Sequence, residues 1–257
     1  MCVAFNYAIS VHYVLMDKNV QISTVCRFIQ FRSAMNVLKE NATIGSLVAK
    51  SPEYASVFEK LGIDYCCKGH KQLKEVCEEK NLDIHEVIDR LKQIQTSTAT
   101  RDWDQMSTSE IATHIIDTYH THLRDELPRI SYLINKVHTK HGHRYPYIAQ
   151  LQTVFEEMKD SLLEHIDEEE KTVFPLIIKQ ASGQELSQCL STLDEDHLQT
   201  GQALEKIQAL TNGYTPPEDA CMTHMVMVNS LKLLELNLHE HIHMENHILF
   251  PRVKNCR

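Results

Sequence analysis

Two stretches of the sequence repeat one arrangement of histidine and glutamate. LEHIDEEEKTVFP and LHEHIHMENHILFP both contain His-Ile-x-x-Glu, followed by an aliphatic residue, Phe and Pro. The repeated pairs are His165 with Glu169 and His241 with Glu245. Because residues four apart lie one above the other on the same face of an α-helix, each pair can offer an imidazole and a carboxylate to one ligand. These two groups are donors with which proteins bind iron.

Two further histidines, His120 and His197, complete the repeat. Each precedes one of the two stretches by a similar interval, and each is followed by aliphatic residues at matching positions. The sequence therefore contains two copies of a helix pair, in which the first helix offers one His and the second offers His-x-x-x-Glu. In the second copy Gly201 stands four residues after the single His. This glycine either leaves room for a small molecule near the metal or only lets the helices pack closely.

The elements that carry these residues are predicted to be four amphipathic helices. Apolar residues recur at alternating steps of three and four along four segments, which is the spacing of a helix whose seam faces the core of a bundle. Loops at 139–146, 181–183 and 211–217 separate the segments. The pattern predicts an all-α fold with a C-terminal four-helix bundle. The first seam runs through Ile116, His120, Leu123, Leu127, Ile130, Ile134 and Val137.

All six candidate ligands lie on these seams and are expected to converge inside the bundle. Isolated buried charges are strongly unfavourable, so the convergence predicts a metal site. Taken one at a time, each His is better explained as a hydrogen-bonded core residue or an exposed one, but six residues related by a repeat favour metal. Four imidazoles and two carboxylates exceed the needs of one ion, and structural zinc often uses thiolates. We therefore predict two iron ions with two terminal His each, bridged by Glu169, Glu245 and an oxygen from water.

The other histidines are expected to play no part in the metal site. His224 lies on the fourth seam, several turns away, and is interpreted as a core residue. The acidic run from Asp167 to Glu170 is expected to point Glu169 inward and otherwise to form a solvated face. Most of the remaining histidines are interpreted as solvated, and these are His114, His122, His138, His141, His143, His239, His243 and His247.

A small helical unit is predicted ahead of the bundle. Leu61-Gly62 is typical of a helix end, and the segment ending at Asp83 is typical of a helix start. QTSTAT, which follows this unit, has the composition of a linker. We predict a leader at 1–40 that is disordered or not functional, a small helical domain at 41–95, a linker at 96–106 and the bundle at 107–257.

The small unit contains two adjacent cysteines, Cys66 and Cys67, within GIDYCCKGH. A thiolate is both a nucleophile and a soft metal ligand, so this pair is a candidate thiol relay that receives iron or engages a partner; the alternative is two ordinary small residues. Strain makes a disulfide between neighbouring cysteines uncommon, and we expect free thiols. Because both lie outside the four seams, we expect the metal site to be unchanged when they are replaced.

Bulk properties argue against several classes of partner. The 257 residues carry a formal net charge of -9 without a long Lys or Arg run, which argues against nucleic acid and anionic lipid. The apolar segment at 1–16 has no basic start or cleavage site and is too short to span a bilayer. The eight scattered Cys fit a reducing compartment, and we expect a cytoplasmic protein. A faint likeness of residues 1–34 to a presequence makes an organelle the alternative.

The motifs resemble those of the iron–sulfur cluster repair di-iron proteins, also called RIC or ScdA-type proteins. That family joins an N-terminal domain with a D-Y-C-C motif to a C-terminal haemerythrin-like bundle. The matching segments are IDYCCKGH, YHTHLRDELP, LEHIDEEEKTVFP, DEDHLQTG and HEHIHMENHILFP. Where the family often has a second His in the first bundle motif, this chain has Leu123, so no role is carried over to it. The ligands that the resemblance implies are His120, His165, Glu169, His197, His241 and Glu245.

The resemblance implies repair of iron–sulfur clusters damaged by nitric oxide or oxidative stress. The di-iron centre would serve as an iron source or react with nitric oxide, the partners would be damaged iron–sulfur proteins bound transiently, and a homodimer stays open. No conventional enzyme reaction is implied. One alternative is a haemerythrin-like protein that binds or senses O2 or NO, which has no need for the paired cysteines. The other is a di-iron oxidase, which would use carboxylate-richer ligation with Glu-x-x-His spacing.

Overall fold

The computed structural model describes residues 41–94, 103–179 and 184–254. In these ranges the regular structure is helical, and the one β-type pairing is an isolated antiparallel bridge between Thr43 and Gln72. The all-α prediction is therefore confirmed. No helix in the described ranges has both the length and the apolar character needed to cross a membrane. The expected leader, most of the expected linker and the loop at 181–183 lie outside the described residues.

The small domain consists of short helices, and local signals set their ends. Thr43 caps the first helix by accepting a hydrogen bond from the Ser46 amide at 3.4 Å. Asp83 caps the last helix by accepting one from the His85 amide at 2.8 Å. Gly62 has a φ of 62°, in the left-handed region that favours glycine, and follows the end of the second helix. The helices are Ile44–Lys50, Ala55–Lys60, Leu73–Glu79 and Ile84–Gln93, with a 3-10 turn at Pro52–Tyr54.

The bundle consists of four long helices that pack as a closed ring. Contacts join consecutive helices, and they also join the fourth to the first. The first helix begins with a capping box, in which the side chain of Ser107 accepts from the Glu110 amide and the Glu110 carboxylate accepts from the Ser107 amide. We name them bundle helix 1 (residues 108–141), bundle helix 2 (147–178), bundle helix 3 (184–210) and bundle helix 4 (222–254).

Three bundle helices are interrupted by one turn of π-helix beside a candidate ligand. These turns are Ile116–His120, Glu169–Val173 and Glu245–Leu249, whereas bundle helix 3 is α-helical throughout. A π turn inserts one extra residue and so rotates the buried face of the helix. The predicted first seam is therefore wrong at its start, because Ile115 is buried and Ile116 is partly exposed.

The π turns also explain the Phe-Pro that closes both repeats. The amide of Phe174 donates to the carbonyl of Glu169, five residues earlier, and the amide of Phe250 donates to the carbonyl of Glu245 in the same way. A proline follows each Phe, at the point where i+5 hydrogen bonding returns to i+4. Since proline has no amide donor, it fits a position where the helical hydrogen-bond pattern already changes.

The candidate ligands lie between two clusters of buried apolar side chains. Leu123, Leu162, Leu204 and Leu238 border the site from one cluster, which fills the end of the bundle near the 142–146 loop. Burial of each such side chain contributes roughly 1.5–3 kcal/mol. The clusters separate the polar site from solvent at both ends. The second cluster includes Ile111, Ile115, Tyr119, Val173, Phe174, Leu190, Leu193, Leu249 and Phe250.

Candidate metal centre

The six candidate ligands meet in the interior of the bundle. Bundle helices 2 and 4 each present a His and a Glu four residues apart, and bundle helices 1 and 3 each present one His. All six side chains are buried. Their ligand atoms form two groups, and within each group the atoms lie within 4.8 Å of one another. The groups are His120 and His241 with Glu169 and Glu245, named position A, and His165 and His197 with the same two glutamates, named position B.

Within each position two imidazole nitrogens face each other. Nε2 of His120 lies 3.0 Å from Nε2 of His241, and Nε2 of His197 lies 3.2 Å from Nε2 of His165. Two such nitrogens satisfy each other only when one donates a proton and the other accepts it. A metal ion bound to both nitrogens removes that requirement, so the paired geometry fits a cation at each position.

The two glutamates lie where each can reach both positions. Oε2 of Glu169 is 3.4 Å from Nε2 of His120 and 3.5 Å from Nε2 of His165. Glu245 directs Oε1 to Nε2 of His241 at 2.8 Å and Oε2 to Nε2 of His197 at 3.1 Å. Neither oxygen of Glu169 has a hydrogen-bond partner among the described residues, although the side chain is fully buried. A buried carboxylate without donors indicates that a cation completes the site.

Burial dominates the electrostatics of the site. Burial, followed by the charge of Glu245, raises the pKa of Glu169 to about 8. Burial opposes a charge on His120 and His197, but the carboxylates beside them outweigh it and raise the pKa of His120 to about 10 and that of His197 to about 9. Burial and the neighbouring His197 lower the pKa of His165 to about 4. The buried carboxylates therefore favour a balancing positive charge, which a bound cation can supply.

Three of the four imidazoles are oriented by a side chain that hydrogen-bonds their outer nitrogen, Nδ1. Such partners fix the tautomer and raise the basicity of a metal-binding His. The interpretation of the acidic run as a solvated face is wrong at Glu170, which is partly buried and bonds His120. The pairs are His120 with Glu170 at 2.9 Å, His165 with Asp196 at 3.2 Å and His197 with Asn246 at 3.2 Å.

Sequence analysis missed these three orienting residues, although their positions carry a signal. Glu170 and Asn246 each directly follow a glutamate of the site, and Asp196 directly precedes His197. A residue next to a ligand in the sequence points to one side of that ligand on the helix, toward an adjacent helix. A polar residue at such a position can therefore hydrogen-bond a ligand that the adjacent helix carries. The internal repeat strengthens the signal for the first two, which occupy equivalent places.

His241 is the exception among the four imidazoles. Its Nδ1 has no hydrogen-bond partner in the part of the chain that the structure describes. The ring of Tyr119 stacks on it instead, with 5.4 Å between centroids and 13° between planes. Tyr119 precedes His120 as Asp196 precedes His197. These equivalent positions of the repeat therefore hold a carboxylate that bonds His165 and an aromatic ring that stacks on His241. Position A thus has one orienting acceptor and position B has two.

The paired cysteines lie outside the seams but at the edge of position B. Sγ of Cys67 donates to the backbone carbonyl of His197 at 3.2 Å. Cys66 and Cys67 are free thiols, as expected, with 3.8 Å between their sulfur atoms. Cys66 is buried, and its hydrogen bond with Cys67, followed by burial, raises its pKa well above the ordinary value. Cys67 is partly exposed and is the more accessible thiol.

Gly201 lies beside this cysteine. A Cβ added at Gly201 would lie 3.5 Å from Sγ of Cys67, which is ordinary van der Waals contact. This contact therefore does not require a glycine. Both explanations of Gly201, room for a small molecule near the metal and close packing of the helices, stay predictions.

Three histidines that were interpreted as solvated pack against the small domain. His239, His243 and His247 lie at four-residue intervals on bundle helix 4. The ring of Tyr65 lies 5.9 Å from that of His239 and 5.6 Å from that of His243, which is buried. Nε2 of His247 donates to the carbonyl of Cys66 at 2.9 Å. The interpretation was wrong for these three, and their i, i+4, i+8 spacing was the available signal.

His224 is a core residue, as interpreted. Its side chain is fully buried, and its Nε2 shares a hydrogen bond of 2.6 Å with the hydroxyl of Tyr147. His122 and His143 are exposed, in agreement with their interpretation as solvated. These residues lie away from positions A and B and carry no metal-binding role in our account.

A cavity of about 530 Å³ lies between the small domain and bundle helices 3 and 4. Cys66, Cys67 and Gly201 are among the residues that line it. Glu235 forms part of its wall, and burial raises the pKa of this carboxyl to about 7. The cavity therefore borders both thiols of the pair.

Comparison with protein families assigns both parts of the chain. Residues 111–253 match the haemerythrin HHE cation binding domain. Residues 40–95 match ScdA_N, a domain of unknown function. The bundle is therefore a cation-binding domain of the haemerythrin type, in agreement with the ligand geometry.

Named relatives match over most of their length. The iron-sulfur cluster repair protein ScdA of Staphylococcus haemolyticus is 32% identical over 220 residues, which cover 84% of this chain and 99% of that protein. The iron-sulfur cluster repair protein YtfE of an Enterobacter species is 34% identical over 209 residues, covering 81% and 94%. A probable iron-sulfur cluster repair protein of Haemophilus influenzae is 33% identical over 219 residues, covering 82% and 96%. The similarity extends through both the small domain and the bundle.

Proposed function

Because the chain belongs to the family of ScdA-type iron–sulfur cluster repair proteins, we propose that it repairs damaged iron–sulfur clusters with iron held in its bundle. The observation that carries this proposal is the convergence of four imidazoles and two buried carboxylates on two adjacent positions. Nitric oxide and oxidative stress are the proposed causes of the damage. The proposed partners are damaged iron–sulfur proteins that bind transiently, and the proposed setting is the cytoplasm.

We assign six ligands to two iron ions. His120 and His241 would hold one ion at position A, and His165 and His197 would hold the other at position B. Glu169 and Glu245 would bridge the ions, together with an oxygen derived from water. The assignment is supported by the distances of the two carboxylates, each of which has oxygens within reach of imidazoles at both positions.

Iron bound by these residues would supply iron for release and a centre that reacts with nitric oxide. The protein contributes the surroundings of that centre. Glu170, Asp196 and Asn246 hold three imidazoles in the orientation that directs Nε2 inward. Arg124 forms ion pairs with Glu170 at 3.1 Å and with Asp167 at 2.7 Å, and these contacts hold the Glu170 carboxylate in place.

We further propose that Cys67 transfers iron between the bundle and a client protein. Its thiol lies 3.2 Å from the backbone of the candidate ligand His197 and faces the cavity. A thiolate is a soft iron ligand and is the group that holds iron in most iron–sulfur clusters, so it can exchange iron with a damaged cluster. Cys66 is buried beside it and bonds Asp64, and we assign it the role of shaping the loop.

The test is reactivation of an iron–sulfur enzyme whose cluster has been damaged with nitric oxide. The iron-loaded chain is expected to restore activity and to lose iron in proportion to the clusters repaired. The matched controls are the metal-free chain and free iron at the same concentration. If free iron restored activity as well as the loaded chain did, the role as an iron donor would be refuted.

The same experiment separates repair from simple gas binding. A protein that only binds or senses O2 or nitric oxide would change its optical spectrum on exposure to the gas but would leave the damaged enzyme inactive. The presence of a thiol pair against position B favours repair, because gas binding has no need for a thiol at that place.

A further inference from the structure

The ring of His247 lies between two glycines of the small domain. A Cβ added to Gly45 would lie 2.4 Å from Cε1 and Nδ1 of His247, and a Cβ added to Gly69 would lie 2.3 Å from its Nε2. Real side chains do not approach this closely, so any other residue at either position would displace the ring. The amide of Gly45 donates to the carbonyl of Gly69 at 2.8 Å, which holds the two glycines together. We name this arrangement the glycine socket.

The glycine socket holds His247 against the loop that carries the thiols. Its Nε2 donates to the carbonyl of Cys66 at 2.9 Å. Asp64 stiffens the loop, because its Oδ1 accepts from the amides of Cys66 and Cys67 at 3.1 Å and 2.9 Å. On the other side, Sγ of Cys67 donates to the carbonyl of His197. The loop is thus attached to bundle helix 4 through His247 and to bundle helix 3 through His197.

Both attachments come from the neighbourhood of the metal site. His197 is a candidate ligand, and His247 lies in the π turn Glu245–Leu249, two residues after a candidate bridging ligand. Neither the ring of His247 nor its hydrogen bond contacts positions A and B. His247 therefore has no ligand role, and its close contact with the small domain needs another explanation.

We propose that His247 is a positioning residue that seats the Cys66–Cys67 loop of the small domain against the metal centre. Replacing His247 would leave the six candidate ligands intact but would remove the contact that holds the thiol loop beside position B. The consequence for repair rests on the function proposed above, whereas the seating of the loop does not depend on it.

The first test compares two substitutions at His247. His247→Leu fills the socket but cannot donate a hydrogen bond, and His247→Gln restores a donor of similar reach. The readout is the rate at which a thiol reagent labels Cys66, measured by mass spectrometry against Cys77, since both cysteines are buried in the small domain. We expect about a tenfold faster labelling of Cys66 in the Leu variant, the shift that follows from losing one buried hydrogen bond.

The internal reference separates seating from general stability. Cys77 is expected to label at the parent rate in both variants, and the Gln variant is expected to label Cys66 close to the parent rate. If Cys66 labelled at the parent rate in His247→Leu, the proposal would be overturned. It would equally be overturned if Cys66 and Cys77 accelerated together, because the His would then only stabilise the domain.

The second test uses the steric fit of the socket. Gly45→Ala is expected to accelerate Cys66 labelling in the parent chain, because the new Cβ displaces the ring of His247. In a chain that also carries His247→Ala, the same change is expected to add nothing, since there is no ring to displace. An equal effect of Gly45→Ala in both backgrounds would overturn the proposal. Gly201→Ala is the matched control, because its Cβ meets Cys67 only in ordinary contact.

The third measurement joins the inference to repair. His247→Leu is expected to bind as much iron as the parent chain and to reactivate a damaged iron–sulfur enzyme several-fold more slowly. If the variant labelled faster but repaired at the parent rate, positioning by His247 would have no role in repair. If the parent chain itself repaired nothing, the proposed function would fail, and the labelling tests would still decide whether His247 seats the loop.

Discussion

The unequal support of the two metal positions leads to a quantitative prediction for Asp196. This carboxylate bonds Nδ1 of His165 at 3.2 Å and, among the residues that the structure describes, is the only orienting carboxylate of position B. Its replacement is expected to weaken iron binding at position B and to leave position A, which relies on Glu170, nearly unchanged. Loss of such a partner typically reduces metal affinity by about 10- to 100-fold.

The structure predicts different losses of iron affinity for two substitutions at Asp196. Asp196→Asn keeps an oxygen that can accept from His165 and removes only the charge, which is partly screened because the side chain is 29% exposed. We expect about a tenfold loss for it, or about 1.4 kcal/mol. Asp196→Leu removes the acceptor as well, so its loss is expected near the upper end, about 100-fold. Glu195→Gln is the matched control, because it neutralises a neighbouring exposed carboxylate that does not contact the site.

The assay is release of iron to an excess of chelator, followed by absorbance. The parent chain is expected to release iron in two steps, with position A first because it has one orienting acceptor and position B has two. In Asp196→Asn the two rates are expected to converge, and in Asp196→Leu position B is expected to empty first. If Asp196→Leu released both ions at the parent rates, the argument that outer hydrogen bonds set the affinity of each position would be refuted.

Three further predictions follow from the same geometry. Glu169→Ala and Glu245→Ala are each expected to lower the iron content, measured by metal analysis, to less than one ion per chain, because each carboxylate reaches both positions. Changing both Cys66 and Cys67 to Ser is expected to leave the iron content unchanged and to abolish reactivation of a damaged enzyme. Of the two single variants, Cys67→Ser is expected to reduce reactivation more, because Cys67 is the more accessible thiol. Glu235→Gln is expected to raise Tm at pH 8 but not at pH 4. Burial raises the pKa of Glu235 in the folded protein to about 7, above its ordinary value. The folded protein therefore loses stability as the pH rises from the ordinary pKa of a Glu to about 7, and Gln, which does not ionise, avoids this loss.

Each of these predictions has an outcome that contradicts it. Full iron content in both glutamate variants would mean that neither carboxylate bridges the ions. Repair at the parent rate by the double Ser variant would exclude a thiol relay and leave any repair to the bundle alone. A Tm change of the same size at both pH values would show that the charge of Glu235 is not its cause.

Periodic features of the sequence were sufficient to predict the bundle. The alternating three- and four-residue steps identified the buried faces, because a helix buries whatever recurs with its own period. The same steps brought His165 and Glu169 to one face and His241 and Glu245 to another, so their meeting in the interior could be foreseen. Their binding of iron stays a prediction.

Two kinds of feature could not be predicted from periodicity: the extra residue that a π turn inserts into a helix, and contacts between residues far apart in the sequence. The π turn at Ile116–His120 shifts the buried face by one residue, and the choice of Ile115 over Ile116 depends on packing along the whole helix. The role of His247 depends on glycines about 180–200 positions earlier in the chain, and no local pattern links them. Adjacent carboxylates such as Glu169 and Glu170 look alike in sequence, and only the neighbouring helix decides which one faces the site and which one orients a His.

The glycine socket also constrains how this chain can diverge from its relatives. A side chain larger than hydrogen at Gly45 is compatible only with a smaller residue at 247, so the two positions are expected to change together during evolution. Gly69 is held more strictly, because a Cβ there would also lie 2.2 Å from the carbonyl oxygen of Tyr65. Exchanging the small domain for that of a relative with a larger residue at 45 would therefore produce a mismatched pair of domains unless residue 247 were exchanged as well.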